Sequence, residues 1–409
     1  MNITLTSSLP VADKPGQLHT APIKPQDIVL PRLAIVSCAL PPKLDGIGDH
    51  SSGLASALAN RADVSIHTVG TINPLPIEGV KIRQSFGIHP RKAVRGLLPA
   101  IQADPPDWLI VQYNPFSFGD RGFNPYLPGV LRRIKKSCPK IRLAVMVHEM
   151  FMPALSFNYA IMSALQRWQF AAVTNLAEIV FFSTGPWAEG YQRKFHNRRA
   201  IHLPVGSNLP RVQADRAAVR ASLEFPASSI VLGTFGGGHA SKLPGHIAAA
   251  ARKLRASARD VRILSIGPGG PDIRAAMPEF SITDMGAVSP EQASTTLRAI
   301  DIYCCPFIDG VSTRRSSFMA ALQHGLATVS TRAYHTDNLL LAEDKRAFIL
   351  ASATDPDDFA AHVCELAGDE PRRQALGAAA RQLFDHKFST PVLADVMFNE
   401  LMKVPANHG

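Results

Sequence analysis

The amino-acid sequence predicts an α/β protein built from two doubly wound, Rossmann-like domains that face a cleft. Three observations carry this reading. Apolar, strand-like runs alternate with helical segments along most of the chain, the pattern of parallel βαβ units. Four strand-to-helix junctions are rich in glycine: Gly46 with Gly48, Gly236 to Gly238, Gly267 with Gly269 and Gly270, and Gly310. At 409 residues the chain is longer than a single core usually serves.

In chain order, the opening segment 1–30 is rich in Pro, Ser and Thr and reads as a disordered tail. "RLAIVSCAL" reads as a buried strand, "PPKLDGIGDHSSG" as a loop and "LASALANRA" as a helix. "DVSIHTV", "DWLIVQY", "IRLAVMVH" and "EIVFFST" read as strands, with "FNYAIMSALQRWQFAAVTNLA" helical between the last two, and "RRAIHLPVGSN" enters a loop. These place a first domain at 31–208. A second series, "SIVLGTF", "VRILSIG", "SITDMG", "AIDIYCCPF", "LATVST" and "AFILA", makes a second domain at 209–384. Residues 385–409 form a helical tail that breaks near "FSTP" and is expected to cross back to the first domain. In such folds ligands sit at the carboxyl ends of the strands.

Composition narrows the partners. A formal charge of +10 favours anions such as nucleotides. The basic residues are dispersed and lack the clustered, aromatic-interleaved pattern of nucleic-acid binders, so no nucleic acid is expected. A weak attraction to an anionic membrane surface stays open. No apolar run is long enough to span a bilayer, and the N-terminus has no basic-then-apolar signal, so a cytoplasmic protein, at most peripheral at the inner membrane face, is expected. Five scattered cysteines without a CxxC pair argue for buried thiols rather than disulfides or zinc.

"GIGDHS" has only the first two glycines of GxGxxG, and the following strand lacks the acidic residue that would hold a ribose, which disfavours a nicotinamide enzyme. No GxxxxGK[ST] is present, and "HEMFM" lacks the second histidine of HExxH. No metal site and no cofactor are expected. The strongest local phosphate signal is "FGGGHASKLPGH": Gly237 and Gly238 follow a strand, Pro244 suits a first helical turn, and Lys242 is placed to reach an anion. In "DGVSTRRSSFMAALQHG", Ser312 or Thr313 is expected to cap a helix ended by Gly325. Arg314 and Arg315 then fall in its first turn, where each opposes the helix dipole by a few tenths to about 1 kcal/mol. A bound diphosphate would reverse that sign; pairing with Asp309 is the plain alternative. His148 ends a strand. His50, His239 and His324 carry weaker signals, Asp49 reads as an N-cap, and Tyr113, Asn114 and Phe116 either line the cleft or pack it.

Five segments resemble the GT-B fold glycosyltransferases, specifically the retaining family 4, over most of residues 31–405: "GIGDHSSGLASALA", "VMVHEM", "IHLPVGSNLP", "LGTFGGGHASK" and the block from "MGAVSPEQ" to "LATVST". The resemblance implies retaining, metal-independent transfer of a sugar from a nucleotide-diphosphate-sugar, bound by the second domain, to a carbohydrate or lipid-linked acceptor on the first. It implies a diphosphate site of Lys242, Arg314, Arg315, Gly237, Gly238 and Ser312, with Val288, Ser289 and Asp309 at the base and ribose. It puts Gly46, Gly48, Tyr113 and Asn114 on the acceptor side, and His148 and Asp49 at the chemistry. The sequence departs from the family where two glutamates eight positions apart are usual, since Ser312 and Ala320 stand there. Thr234 also replaces a usual arginine. A non-catalytic binding or partner subunit, or a sugar-nucleotide epimerase, remains as an alternative.

Overall fold

The computed structural model describes residues 30–153 and 157–405. The tail expected at 1–30 lies, apart from Leu30, outside the described residues. The remainder contains two parallel sheets. The first joins β1 (Arg32–Val36), β2 (Asp63–Val69), β3 (Val80–Phe86), β4 (Trp108–Tyr113), β5 (Arg142–Val147), β6 (Ile179–Phe182) and β7 (Arg199–His202). Their spatial order is β3-β2-β1-β4-β5-β6-β7. The second joins β8 (Ile230–Phe235), β9 (Val261–Ile266), β10 (Ile282–Asp284), β11 (Ile302–Cys305), β12 (Thr328–Arg332) and β13 (Ile349–Ser352), in the order β10-β9-β8-β11-β12-β13. The fold is the expected one: two doubly wound α/β domains.

Why these runs become central strands is visible in their burial. Successive residues of β1 serve opposite faces: Ala34 and Val36 join one core, Leu33 and Ile35 the other. A strand covered by helices on both sides needs an unbroken apolar run rather than alternation. Cys304 and Cys305 divide between the two faces of the second sheet in the same way, and all five cysteines are free thiols. Strand β3 was missed by the sequence reading because Lys81, Arg83 and Gln84 interrupt it. It is an edge strand, where charged side chains are tolerated and block further pairing.

Helix placement brings two corrections. The first helix is Gly46–Leu58, so the glycines expected in a loop form its first turn. Its N-cap is Asp45, whose side chain accepts from the backbone of Ile47 and Gly48; Asp49 is inside the helix and does not cap it. The tail is two helices, Glu370–Lys387 and Thr390–Met402, parted at Phe388 and Ser389. The former packs on the second sheet through Leu376, Ala380 and Phe384. The latter packs on the first, where Leu393, Ala394, Met397 and Leu401 join the core of Leu33, Ile35 and Leu54.

Candidate functional site

The strand order reverses direction between β1 and β4 in one sheet and between β8 and β11 in the other, and such switch points open crevices at the strands' carboxyl ends. The loops leaving these strands meet in one cavity of about 360 Å³, within the range of small-ligand sites. One wall comes from the first domain: the turn from Asp45 to His50, Asn114 after β4, and His148 with Glu149 after β5. The facing wall holds His239, Arg314, Arg315 and Ser316, and the crossing segment from Val205 to Asn208 closes one side.

On the first wall the helix start lies very close to the chain after β1. A side-chain carbon on Gly48 would stand 2.9 Å from the backbone C and O of Ala39, so only glycine fits without displacement. The next turn carries His50, whose ring packs edge-on against His148 at 5.2 Å. His148 Nε2 lies 2.7 Å from Gln112 Oε1, an oxygen that can only accept. With the amide in this orientation the ring hydrogen is on Nε2, leaving Nδ1 as an acceptor. Burial, then the neighbouring His50, holds His148 well below the usual imidazole range, and burial lowers His50 to about 4. Both rings are neutral at pH 7. Asp49 accepts from Asn208 Nδ2 at 3.3 Å, and burial raises its carboxyl against that bond.

The second wall is charged. The helix expected to begin near Ser312 instead spans Ser316–Gln323, with Arg315 in the N-cap position and no side-chain cap. The two arginines therefore precede the helix and do not sit in its first turn. Arg314 donates to Glu149 across the cleft and, through Nη2, to Asp309 at 3.0 Å. Arg315 Nη2 donates to both Asp309 oxygens at 2.9 and 3.0 Å. Burial opposes the charged form of Asp309. His335 and the two guanidinium groups outweigh it and hold the carboxyl well below the ordinary carboxylate range. Asp309, expected at the ribose, is thus the anchor of both arginines. Their planes rest on aromatic rings, Arg314 over Trp187 at 5.1 Å and Arg315 over Phe307 at 4.4 Å.

Thr313 is not a cap either. Its hydroxyl donates to the Ser183 carbonyl at 2.7 Å, its N–H donates to Asp337 at 2.7 Å, and its carbonyl accepts from Val205 N at 3.0 Å. The arginine segment is thereby tied to the ends of β6 and β7 in the other domain. This cross-domain pinning left no local signal in the sequence.

Other predicted residues divide. Asn114 lines the cavity while its side chain caps the short turn Pro115–Ser117. Tyr113 does not: it is fully buried in the first core, where its hydroxyl accepts from Gln169 at 3.2 Å. Lys242 stands beside the glycine loop, with Nζ donating to the Phe235 carbonyl at 3.2 Å, and does not line the cavity. Gly237 and Gly238 are exposed next to it. Ser289 caps the helix Pro290–Leu297 in a reciprocal capping box with Gln292, and Val288 packs on the second core. Neither lines the cavity. Ser312 and Ala320 are fully buried. His324 is structural, bonded to Ser294 and the Ala320 carbonyl. His50, His239, Glu149 and Asn208 were under-weighted or missed in the sequence, because a lone polar residue after a strand looks the same whether or not it faces a cavity.

The site keeps unused hydrogen-bonding capacity. Among the described residues, the buried Nε atoms of Arg314 and Arg315, Ser312 Oγ, Asn208 Oδ1, His50 Nε2 and Gln112 Nε2 have no partner. Of these residues, Arg314, Arg315, Asn208 and His50 line the cavity, whereas Ser312 and Gln112 lie fully buried behind it. No group of three or more His, Cys, Asp or Glu among the described residues is placed to hold a metal ion.

Comparison with known proteins is consistent with this architecture. Residues 230–369 match the family described as Glycosyl transferases group 1. Sucrose-phosphate synthase from Thermosynechococcus elongatus superposes with a TM-score of 0.69 at 16% identity, over 91% of this chain and 98% of that one. Anabaena HepE in complex with UDP-glucose gives 0.66 at 12% identity, over 91% and 99%. WaaG, a glycosyltransferase involved in lipopolysaccharide biosynthesis, gives 0.64 at 14% identity, over 92% and 100%. These likenesses establish the fold as GT-B, and the match to the group 1 glycosyltransferase model lies within the chain's second domain. No curated protein sequence gave a significant match.

Proposed function

We propose that the protein is a glycosyltransferase that moves a sugar from a nucleotide-diphosphate-sugar to a carbohydrate or lipid-linked acceptor, with retention of configuration and without a metal ion. The observation that carries this reading is the cavity itself: two adjacent arginines on the second domain face a neutral histidine on the first. As the sugar–phosphate bond breaks, negative charge grows on the diphosphate. Guanidinium groups fixed beside it stabilise that charge without needing to reorganise. Arg314 and Arg315 line the cavity, and the exposed backbone of Gly237 and Gly238, with Lys242 behind it, stands at one side.

On the opposite wall, His148 keeps Nδ1 as an acceptor for a sugar hydroxyl while Gln112 orients the ring. Asp49 and Asn208 stand at the acceptor side. In a retaining transfer the departing phosphate oxygen takes the acceptor's proton, so the front-face chemistry needs no separate base. Relatives with bound UDP-glucose favour a uridine donor. No described helix is long and apolar enough to cross a membrane, so a lipid-linked acceptor would be met at a surface.

One observation favours a second reading, a binding subunit without catalysis. Ala320 is fully buried among Phe318, Met319 and Leu322, so the ribose carboxylate usual at that position in family 4 is absent. Thermal shift with UDP, GDP and ADP, on wild type, Arg314→Ala and Arg315→Ala, separates the possibilities when paired with a donor-hydrolysis panel. Stabilisation by one nucleotide, lost in the arginine variants, with slow hydrolysis of a matching sugar donor, is the expected result. Binding without hydrolysis or transfer selects the second reading, and no response to any nucleotide removes both.

A further inference from the structure

Arg314 touches two carboxylates that differ in kind. Asp309 belongs to its own loop, five residues away, and holds Arg315 as well. Gly310, at φ +79°, sets the turn that aims it: a side chain there would strike Thr336 and Ala333. Glu149 reaches Arg314 from the other domain, one residue past His148. Asp309 is the less exposed of the two, at 9% against 33% for the Glu149 side chain.

We propose that Glu149 is a stand-in anion, a carboxylate that occupies the diphosphate seat on Arg314 in the empty protein and leaves when the ligand's phosphates arrive. The inference rests on the nucleotide-diphosphate reading of the cleft. Four features support it. A carboxylate oxygen and a phosphate oxygen accept the same charge-assisted bond from a guanidinium N–H, so one replaces the other on Arg314 Nη1, the nitrogen that Glu149 occupies while Nη2 stays on Asp309. Glu149 lines the cavity between His148 and the arginines, the space a diphosphate needs. It is held on one side only, since Arg314 is its one ion-pair partner among the described residues. Arg314 itself is fixed without Glu149, by Asp309, by the Trp187 face and by the pinned backbone of Thr313.

The arrangement has a use. Asp309 brings one negative charge to two half-buried guanidinium groups, and an uncompensated buried charge is costly; the cross-cleft pair balances the second cation until the ligand does. The same pair makes the cleft selective: a ligand must offer more negative charge than one carboxylate to displace it. Polyanions such as diphosphates qualify, and neutral or weakly anionic sugars do not.

The test compares two neutralising variants, Glu149→Gln and Asp309→Asn, by calorimetric titration with inorganic pyrophosphate and with UDP, and with uridine as a phosphate-free probe. Glu149→Gln is expected to tighten pyrophosphate and UDP about tenfold, equivalent to about 1.4 kcal/mol, with uridine unchanged. Asp309→Asn is expected to weaken both by a similar factor, because the arginines lose their anchor. Near-ultraviolet circular dichroism of each variant checks that the fold is retained, and Glu149→Ala repeats the measurement without the amide. Equal tightening in both variants would reduce the effect to net charge and overturn the proposal. Unchanged or weaker binding in Glu149→Gln overturns it too, and makes Glu149 a support for Arg314. Failure of wild type and both variants to bind either pyrophosphate or UDP removes the anion seat and the donor reading together, whereas equal binding by wild type and Glu149→Gln removes only the stand-in.

Discussion

The two walls of the cleft are held in shape by opposite means. On the first wall, position is fixed by packing: a glycine pressed on backbone, a helix start and two uncharged imidazoles. On the second, position is fixed by charge: two guanidinium groups shared between two carboxylates and laid on aromatic rings. The glycines show the contrast most directly. Gly48 has no room for a side chain, while Gly237 has nothing within 4 Å of where one would begin. The same strand–glycine–helix signature therefore marks a close backbone contact at Gly48 and an open rim at Gly237. A wall set by packing answers to volume and a wall set by ion pairs answers to charge, which suits one to shape recognition and the other to an anion.

Three substitutions sharpen this contrast. Gly48→Ala tests the packed wall hardest. Although alanine favours helices, its methyl meets the backbone at Ala39, and forced displacement in a tight site costs about 1–3 kcal/mol. A fall in Tm of roughly 5 °C is expected in scanning calorimetry, and an unchanged Tm would show that the two segments separate freely.

His50→Gln probes the neutral rings and acts through pH. Burial lowers His50 to about 4 in the folded chain, whereas an unfolded histidine titrates near about 6.5. Between those values the unfolded chain takes up a proton that the folded one refuses, so wild-type stability falls as pH drops through that window. From pH 7 to pH 5 the wild type should lose about 2 kcal/mol more than His50→Gln in urea unfolding. Parallel losses would mean that His50 charges freely in the fold. Smallest is Gly237→Ala, expected to move stability by less than about 0.5 kcal/mol, since the rim is open there. A large loss would place that loop against something solid.

How much of this could be read from the sequence depended on how local each cause is. The strands were legible because central parallel strands are continuous apolar runs such as "RLAIV" and "IYCC". Pro244 was placed correctly because proline in a first helical turn is a local preference. Arg314 and Arg315 were recognised as cleft residues, but their setting was not. The helix start moved to Ser316 because Thr313 spends its hydrogen bonds on Ser183, Asp337 and Val205, more than a hundred positions away in two of those three cases. Asp45 and Asp49 are both acidic residues near a helix start, and the helix begins early enough, at Gly46, that Asp45 caps it and Asp49 falls inside. Tyr113 and Asn114 are neighbours on one chain, yet Tyr113 is the last residue of a strand buried on both faces and Asn114 the first residue beyond it, where the chain turns at the cavity. Glu149 and His50 matter through partners on other elements, and nothing nearby in sequence announces those.

The return of helix Thr390–Met402 to the first sheet has a consequence for the order of manufacture. A ribosome delivers β1 to β7 long before it delivers Leu393, Met397 and Leu401, which cover one face of that sheet. The first domain is thus synthesised before the helix that completes it, and until then it keeps part of an apolar face open to water and to chaperones. A fragment ending after β7 would be born in that state and remain there.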